Sequence, residues 1–141
     1  MSLSAFLAQN VETTTHVEAF IASTRFKIDN EPVSWQLQSI TADVDKSIRK
    51  SSTKHVPVPG KRGQFTKDTD YDLYLTKLCV ACIKYPDLNS KELQDSYGVM
   101  CAEDLLGKML LPGELNNLQM KVQEINGYST SMDELVEEAK N

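Results

Sequence analysis

Between Lys54 and Tyr71 the chain reads KHVPVPGKRGQFTKDTDY, a stretch that limits what the rest can fold into. Pro57 and Pro59 each lack a backbone donor and push Val56 and Val58 toward extended conformations, so a helix cannot run through them. Gly60 and Gly63 add turn positions that other residues resist. The stretch therefore separates two differently patterned halves and reads as a basic Pro/Gly loop over residues 54–67. Its charge is as distinctive as its backbone. Seven lysines or arginines fall from Lys46 to Lys67 with no acid among them, although the whole chain has a net charge of −5. An acidic protein thus carries a basic belt, which reads either as a solvated spacer or as a surface for a partner.

Upstream, Leu3, Phe6 and Leu7 fall at helical spacing and predict a short amphipathic helix over residues 2–9. Residues 16–28 and 33–40 are rich in β-branched and aromatic side chains, and Val33, Trp35 and Leu37 alternate with polar residues. With the turn chemistry of Asp29-Asn30-Glu31-Pro32 between them, they predict a β-hairpin with Trp35 on its covered face. Two strands alone are marginally stable, so this hairpin packs on helices or pairs with another chain. Thr41 is placed to cap a helix over residues 42–51, with Val44 and Ile48 inward.

Downstream, Tyr71, Tyr74, Leu75, Leu78, Cys79, Cys82 and Ile83 make the longest apolar stripe and predict a central helix over residues 68–85, stopped by Pro86. Asn89 as cap, Glu92 and the Leu88/Leu93 pair open the next helix, which Gly98 closes. Leu105, Leu106, Met109 and Leu110 face inward over residues 101–111. A break at Pro112-Gly113 follows, then Leu115, Leu118, Val122 and Ile125 over residues 114–126, ending at Gly127. Ser131-Met132-Asp133-Glu134 is a capping box for a tail helix with Met132, Leu135, Val136 and Ala139 on one stripe. The expected architecture is α+β and mostly α-helical, a single domain. An N-terminal helix, a β-hairpin and a helix fill residues 1–53; the basic loop, a helical core over 68–127 and the tail over 128–141 follow.

The same residues limit the chemistry open to the chain. Cys79-x-x-Cys82, with Cys101, His16 and His55, has metal-knuckle spacing but lacks a second ligand pair, and both cysteines fall on the central apolar stripe, where cysteine acts as a small hydrophobe. Gly60-Lys61-Arg62-Gly63 lacks the remainder of a phosphate loop. No catalytic constellation, metal set or cofactor motif emerges, so the expected protein is not an enzyme. No apolar run approaches the roughly 18 residues of a membrane span, and MSLSAFLAQN lacks the features of a signal peptide, which predicts a cytoplasmic protein. The candidate partner-binding residues are Trp35 on the hairpin, Lys61 and Arg62 in the belt, and Met132, Leu135 and Val136 in the tail. A small nucleic-acid-binding or regulatory protein using residues 46–67 is the alternative. Against it, Phe65 is the sole aromatic in the belt, so no stacking platform accompanies the charge.

The stretches VPVPGKRGQFTKDTDYDLYLTKLCVACI, PDLNSKELQDSYGVMCAEDLLGKMLLPGE and VQEINGY resemble the XkdN-like phage tail assembly chaperones, and the likeness extends from the first residues to MDELVEEAKN. The resemblance implies a non-enzymatic protein made from the tail gene cluster of a phage or defective prophage. It implies that the chain coats the tape measure protein, recruits tail tube subunits in the bacterial host cytoplasm, and is absent from the finished virion. Related chaperones also occur as a short form and a frameshifted longer form, and self-association is part of the same expectation. The resemblance supplies partners without contact residues, so the candidates above rest on the residues themselves.

Overall fold

Alternation places Trp35 and Leu37 on one face of a strand, and the computed structural model, which describes residues 2–11 and 17–128, leaves them 1% and 0% exposed. Their strand, β4 (Trp35–Gln38), is the middle of a three-stranded antiparallel sheet. On one side lies β1 (Val17–Phe20), with Phe20 opposite Trp35 and Glu18 opposite Leu37. Between them the chain makes a second ladder, β2 (Lys27–Ile28) with β3 (Glu31–Pro32), around Asp29 and Asn30. Both turn residues have positive φ, 51° and 67°, as a hairpin turn that follows the strand twist requires. The hairpin is therefore present, but with a lopsided waist. Residues 21–26 lie on one arm against 33–34 on the other, and the longer side buries Ala22 and Ser23 against the core.

On the other side of β4 lies β7 (Ile83–Tyr85), with Leu37 opposite Ile83. This strand corrects the expected central helix, which is α2 (Tyr71–Cys82) and stops before Pro86 is reached. Ile83 continues the apolar spacing, but its backbone is taken by the free edge of β4, a partner more than forty positions away that periodicity does not report. Helix α2 packs on α1 (Ala42–Ser51), α4 (Ala102–Met109) and α5 (Pro112–Ile125), and its Tyr74, Leu78, Cys79 and Cys82 are buried. Leu105, Leu106, Met109, Leu110, Leu118 and Val122 complete the core as the spacing predicts. Pro112 takes the first turn of α5, where its missing donor costs nothing, and so starts a helix where a break was expected.

Other expectations are corrected. Leu3, Phe6 and Leu7 form only a 3-10 turn, Ser4–Phe6, with Leu3 and Phe6 72% and 78% exposed; helical spacing with no surface to bury against does not sustain a helix. In α1, Val44 is exposed and Asp45 and Ile48 face inward. Helix α3 (Lys91–Ser96) is capped by Ser90, which accepts the Leu93 N–H, and not by Asn89. The basic loop is no loop: its flanks are β5 (Thr53–Pro57) and β6 (Phe65–Thr69), paired from Thr53↔Thr69 to Pro57↔Phe65. With five α-helices and seven strands in three sheets among the described residues, the protein is α+β without being mostly helical. The expected tail helix, with Met132, Leu135 and Val136, lies outside the described residues, as does His16.

The lopsided hairpin is tied to the helices through Arg25, which donates to Met109 O at 2.7 Å and to Glu114 Oε1 at 2.9 Å. Glu114 Oε1 also accepts the Leu111 N–H at 2.8 Å, capping α5. Ser23, that N–H and Arg25 hold the Glu114 carboxyl at about 2, below its ordinary 4.5. A depressed carboxylate stabilises the fold fully above its unfolded pKa, and that contribution is lost as pH falls through the folded one. Glu114→Gln is therefore expected to lower stability at neutral pH and to flatten the acid limb of the stability curve between about pH 4.5 and about pH 2. Chemical denaturation across that range measures it; parallel curves for the two proteins would contradict it.

Candidate partner-binding surface

The paired basic strands project from the body as an arm. Along β5 and β6 only Thr53, Val56 and Thr69 are even partly covered, and Phe65 is 62% exposed. Thr53 and Thr69 join their hydroxyls at 2.9 Å at the root, and Lys54 stands opposite Asp68. At the tip, Val58 N–H donates to Gln64 O at 3.0 Å, and Gly60 and Gly63 take φ of 76° and 78°. The prolines and glycines that suggested a loop instead shape a tight tip on a two-stranded ribbon. Lys61 and Arg62 lie in that tip, exposed. Beside Phe65 and the prolines, the arm exposes Lys54, Lys61, Arg62 and Lys67, which suits it to charge recognition.

A second surface lies between two of the helices. Helices α2 and α5 leave between them a cleft of about 470 Å³ walled by Tyr71, Leu75, Met120 and Tyr128. Tyr71, Met120 and Tyr128 are 60%, 48% and 42% exposed. Tyrosine and methionine faces present large apolar area with little rigidity of shape, which suits a groove for an amphipathic helix. Arg49 is the charged residue on its wall. Arg49 Nε donates to Asp45 at 3.1 Å, its guanidinium lies 4.6 Å from the Tyr74 ring centroid, and the Tyr74 hydroxyl donates to Asp45 as well. Burial, then the Asp45 carboxylate, raises the Tyr74 phenol above its ordinary range, so it stays a donor. This lock joins α1 to α2 and makes one end of the groove, which Arg49, Tyr74 and Tyr128 all line.

The structure separates the sequence-predicted residues. Lys61 and Arg62 are presented on the arm. Trp35 is not presented: it packs against Phe26, ring centroids 6.0 Å apart, and at 1% exposure it is core, so its proposed contact role is corrected. Met132, Leu135 and Val136 lie outside the described residues. Sequence reasoning missed Tyr71, Leu75 and Met120 as a surface, because they sit at the margins of stripes that otherwise face the core. Tyr71 and Leu75, one turn apart on α2, were the available signal.

Cys79 and Cys82 lie in the core, 1% and 0% exposed, and burial pushes the Cys79 thiol up to about 12. Asn126 Nδ2 donates to Cys82 Sγ at 3.3 Å while its Oδ1 accepts the Ile40 N–H at 2.9 Å. A hydroxyl at position 82 would thus meet a donor, whereas one at 79 would not. Cys79→Ser is expected to cost about 1–3 kcal/mol and Cys82→Ser less, by denaturant unfolding. Native thiol labelling should reach Cys101 first; rapid labelling of Cys79 would contradict the burial. Among the described residues no group of three or more His, Cys, Asp or Glu is arranged to hold a metal ion, and no helix is long and apolar enough to cross a membrane.

Comparison with known proteins places the chain beside relatives of matching length. A family model described as phage XkdN-like tail assembly chaperone protein matches residues 3–140. The phage-like element PBSX protein XkdN of Bacillus subtilis (strain 168) is 32% identical over 106 residues, 74% of this chain and 70% of its own. The uncharacterized protein YqbN of the same strain is 27% identical over 140 residues, 99% of this chain and 93% of its own. The crystal structure of the protein YqbN has a TM-score of 0.77 at 22% identity, covering 92% of this chain and 98% of that one, and shares the fold.

Proposed function

The chain belongs to the XkdN-like phage tail assembly chaperones, a family of assembly proteins and not of enzymes, and from that membership we propose that it binds the tape measure protein and recruits tail tube subunits during tail assembly. The observation that carries the reading is the groove between α2 and α5. A tape measure is a long helical client whose apolar stripes need cover until the tube encloses them, and the exposed tyrosines and Met120 offer a surface of that chemistry. The basic arm is the second contact, reaching for the acidic surface of a tube subunit. The chaperone works in the host cytoplasm and leaves before the virion is complete.

Co-expression tests the reading. The cognate tape measure protein should be soluble and co-purify with the wild-type chain. With Lys61→Glu and Arg62→Glu together it should remain soluble, while capture of tube subunits at low salt falls roughly tenfold, as expected when two steering charges are reversed. A tape measure that is equally soluble without the chaperone would overturn the client assignment. Tight nucleic-acid binding at physiological salt, abolished by the same two changes, would replace the proposal with the nucleic-acid reading.

A further inference from the structure

We propose that two copies of this chain pair through β6, antiparallel about a two-fold axis, so that their arms become one four-stranded sheet. The first support is which edge of the arm is open. Asp70 N–H donates to Ser52 O at the root of the ribbon, and Val58 N–H donates to Gln64 O at its tip. Bonding alternates along an antiparallel ladder, so between those two ends Lys54 exchanges bonds with Asp68 and Val56 with Thr66. His55 and Pro57 on β5, and Phe65 and Lys67 on β6, then turn their backbone groups away from the ladder. Pro57 has no N–H to offer there, which blunts the β5 edge. Phe65 and Lys67 each offer both a donor and an acceptor. Strand β6 is exposed from Phe65 to Asp68, and among the described residues no third strand pairs with it.

Charge chooses the occupant of that edge. The arm's tip carries Lys61 and Arg62, and its root carries Asp68, Asp70 and Asp72. Asp70 Oδ1 accepts the Leu73 N–H at 3.1 Å, which leaves Oδ2 for a cation. An arm with a basic tip and an acidic root complements a second arm laid antiparallel beside it, tip to root, and a two-fold axis makes each such contact twice. A parallel neighbour would set tip against tip and root against root.

The register follows from the same residues, because outward-turned positions must face outward-turned positions. Centring the axis on Lys67, Asp68 or Thr69 sets like charges directly opposite: Lys67 on its own copy, Asp68 on its own copy, or Asp68 on Asp70. Centring it on Phe65 brings Lys67 opposite Gly63, whose φ of 78° is not that of a strand. Centring it on Thr66 avoids both. Phe65 of each copy then exchanges backbone bonds with Lys67 of the other, and Arg62 stands opposite Asp70 and diagonal to Asp68. The Lys67 stem lies along the exposed Phe65 ring and covers it. A ribbon that is marginal with two strands gains the width that a stable sheet needs.

Sedimentation velocity of the full chain tests the pairing with neither a tape measure nor a tube subunit present. It should show a monomer–dimer equilibrium that weakens as salt is raised, because Arg62 meets carboxylates across the axis. Lys67→Pro removes an outward donor while leaving the bonds between β5 and β6 in place, and the axis removes it twice, so the dimer should weaken about tenfold or more with the circular dichroism of the monomer unchanged. Crosslinking reads the register. In a Cys101→Ser chain, whose remaining thiols Cys79 and Cys82 are buried, Thr66→Cys should give a disulfide-linked dimer under mild oxidation. Thr66 faces its own copy at a position that does not exchange backbone bonds, where Cα atoms lie about 4.5 Å apart, within disulfide reach. Lys67→Cys, offset from its copy, should not crosslink. A chain that stays monomeric at its highest soluble concentration would overturn the proposal. So would a dimer indifferent to Lys67→Pro, or one that crosslinks through Lys67→Cys and not through Thr66→Cys.

Discussion

Trp35→Ala is expected to bring the protein close to unfolding at physiological temperature. The indole is 1% exposed and stands at the start of β4, opposite Phe20 and in ring contact with Phe26. Truncating so large a buried side chain costs about 3–5 kcal/mol, from lost transfer energy and from a cavity that the surrounding sheet cannot close. Domains of this size have about 5–15 kcal/mol in all. At about 3–4 °C per kcal/mol, the melting temperature should fall by roughly 10–20 °C, followed by far-ultraviolet circular dichroism. A fall of only a few degrees would mean that Trp35 is not the keystone of the hairpin's attachment to the helices.

The largest functional effect should come from a pair of changes that leave the fold intact. Tyr71→Ala with Met120→Asp alters two side chains that are 60% and 48% exposed, so each should change stability by no more than about 0.5 kcal/mol. As opposing anchors in one groove, each is worth about 2 kcal/mol to a helix lodged between them, and together about a thousandfold in the dissociation constant. The variant should melt as the wild type does and no longer co-purify with the cognate tape measure protein. Undiminished co-purification would move the client site elsewhere.

The helices that bury a whole stripe were legible. Leu105, Leu106 and Met109, and Leu118 with Val122, sit where their spacing puts them, because local periodicity and tertiary burial agree along those helices. Where the deciding partner is distant in sequence, the reading failed. Ile83 continued a helical stripe on paper and joined β4 in the fold. Val44 looked like the inward face of α1, yet Asp45 faces inward because Tyr74 and Arg49 on either side satisfy its carboxylate. The arm was read as a loop because its strands bury neither face, so no alternation of apolar and polar residues marks them. The groove was invisible for a related reason. Tyr71 and Leu75 on α2 and Met120 on α5 become one surface only after both helices pack on the same core.

Helix α1 passes into β5 across Ser52 alone, and β6 passes into α2 across Asp70 alone, whose N–H donates to Ser52 O at 2.9 Å. The arm is thus a lever clamped at its fulcrum. Its four steps of paired strand from Thr53 to Pro57 hold the tip about 14 Å away. At that root the two strands continue directly into α1 and α2, the same pair of helices that the Asp45–Tyr74 hydrogen bond joins. Arg49 and Tyr74 also line the groove, so the helices that anchor the arm supply part of the groove's wall.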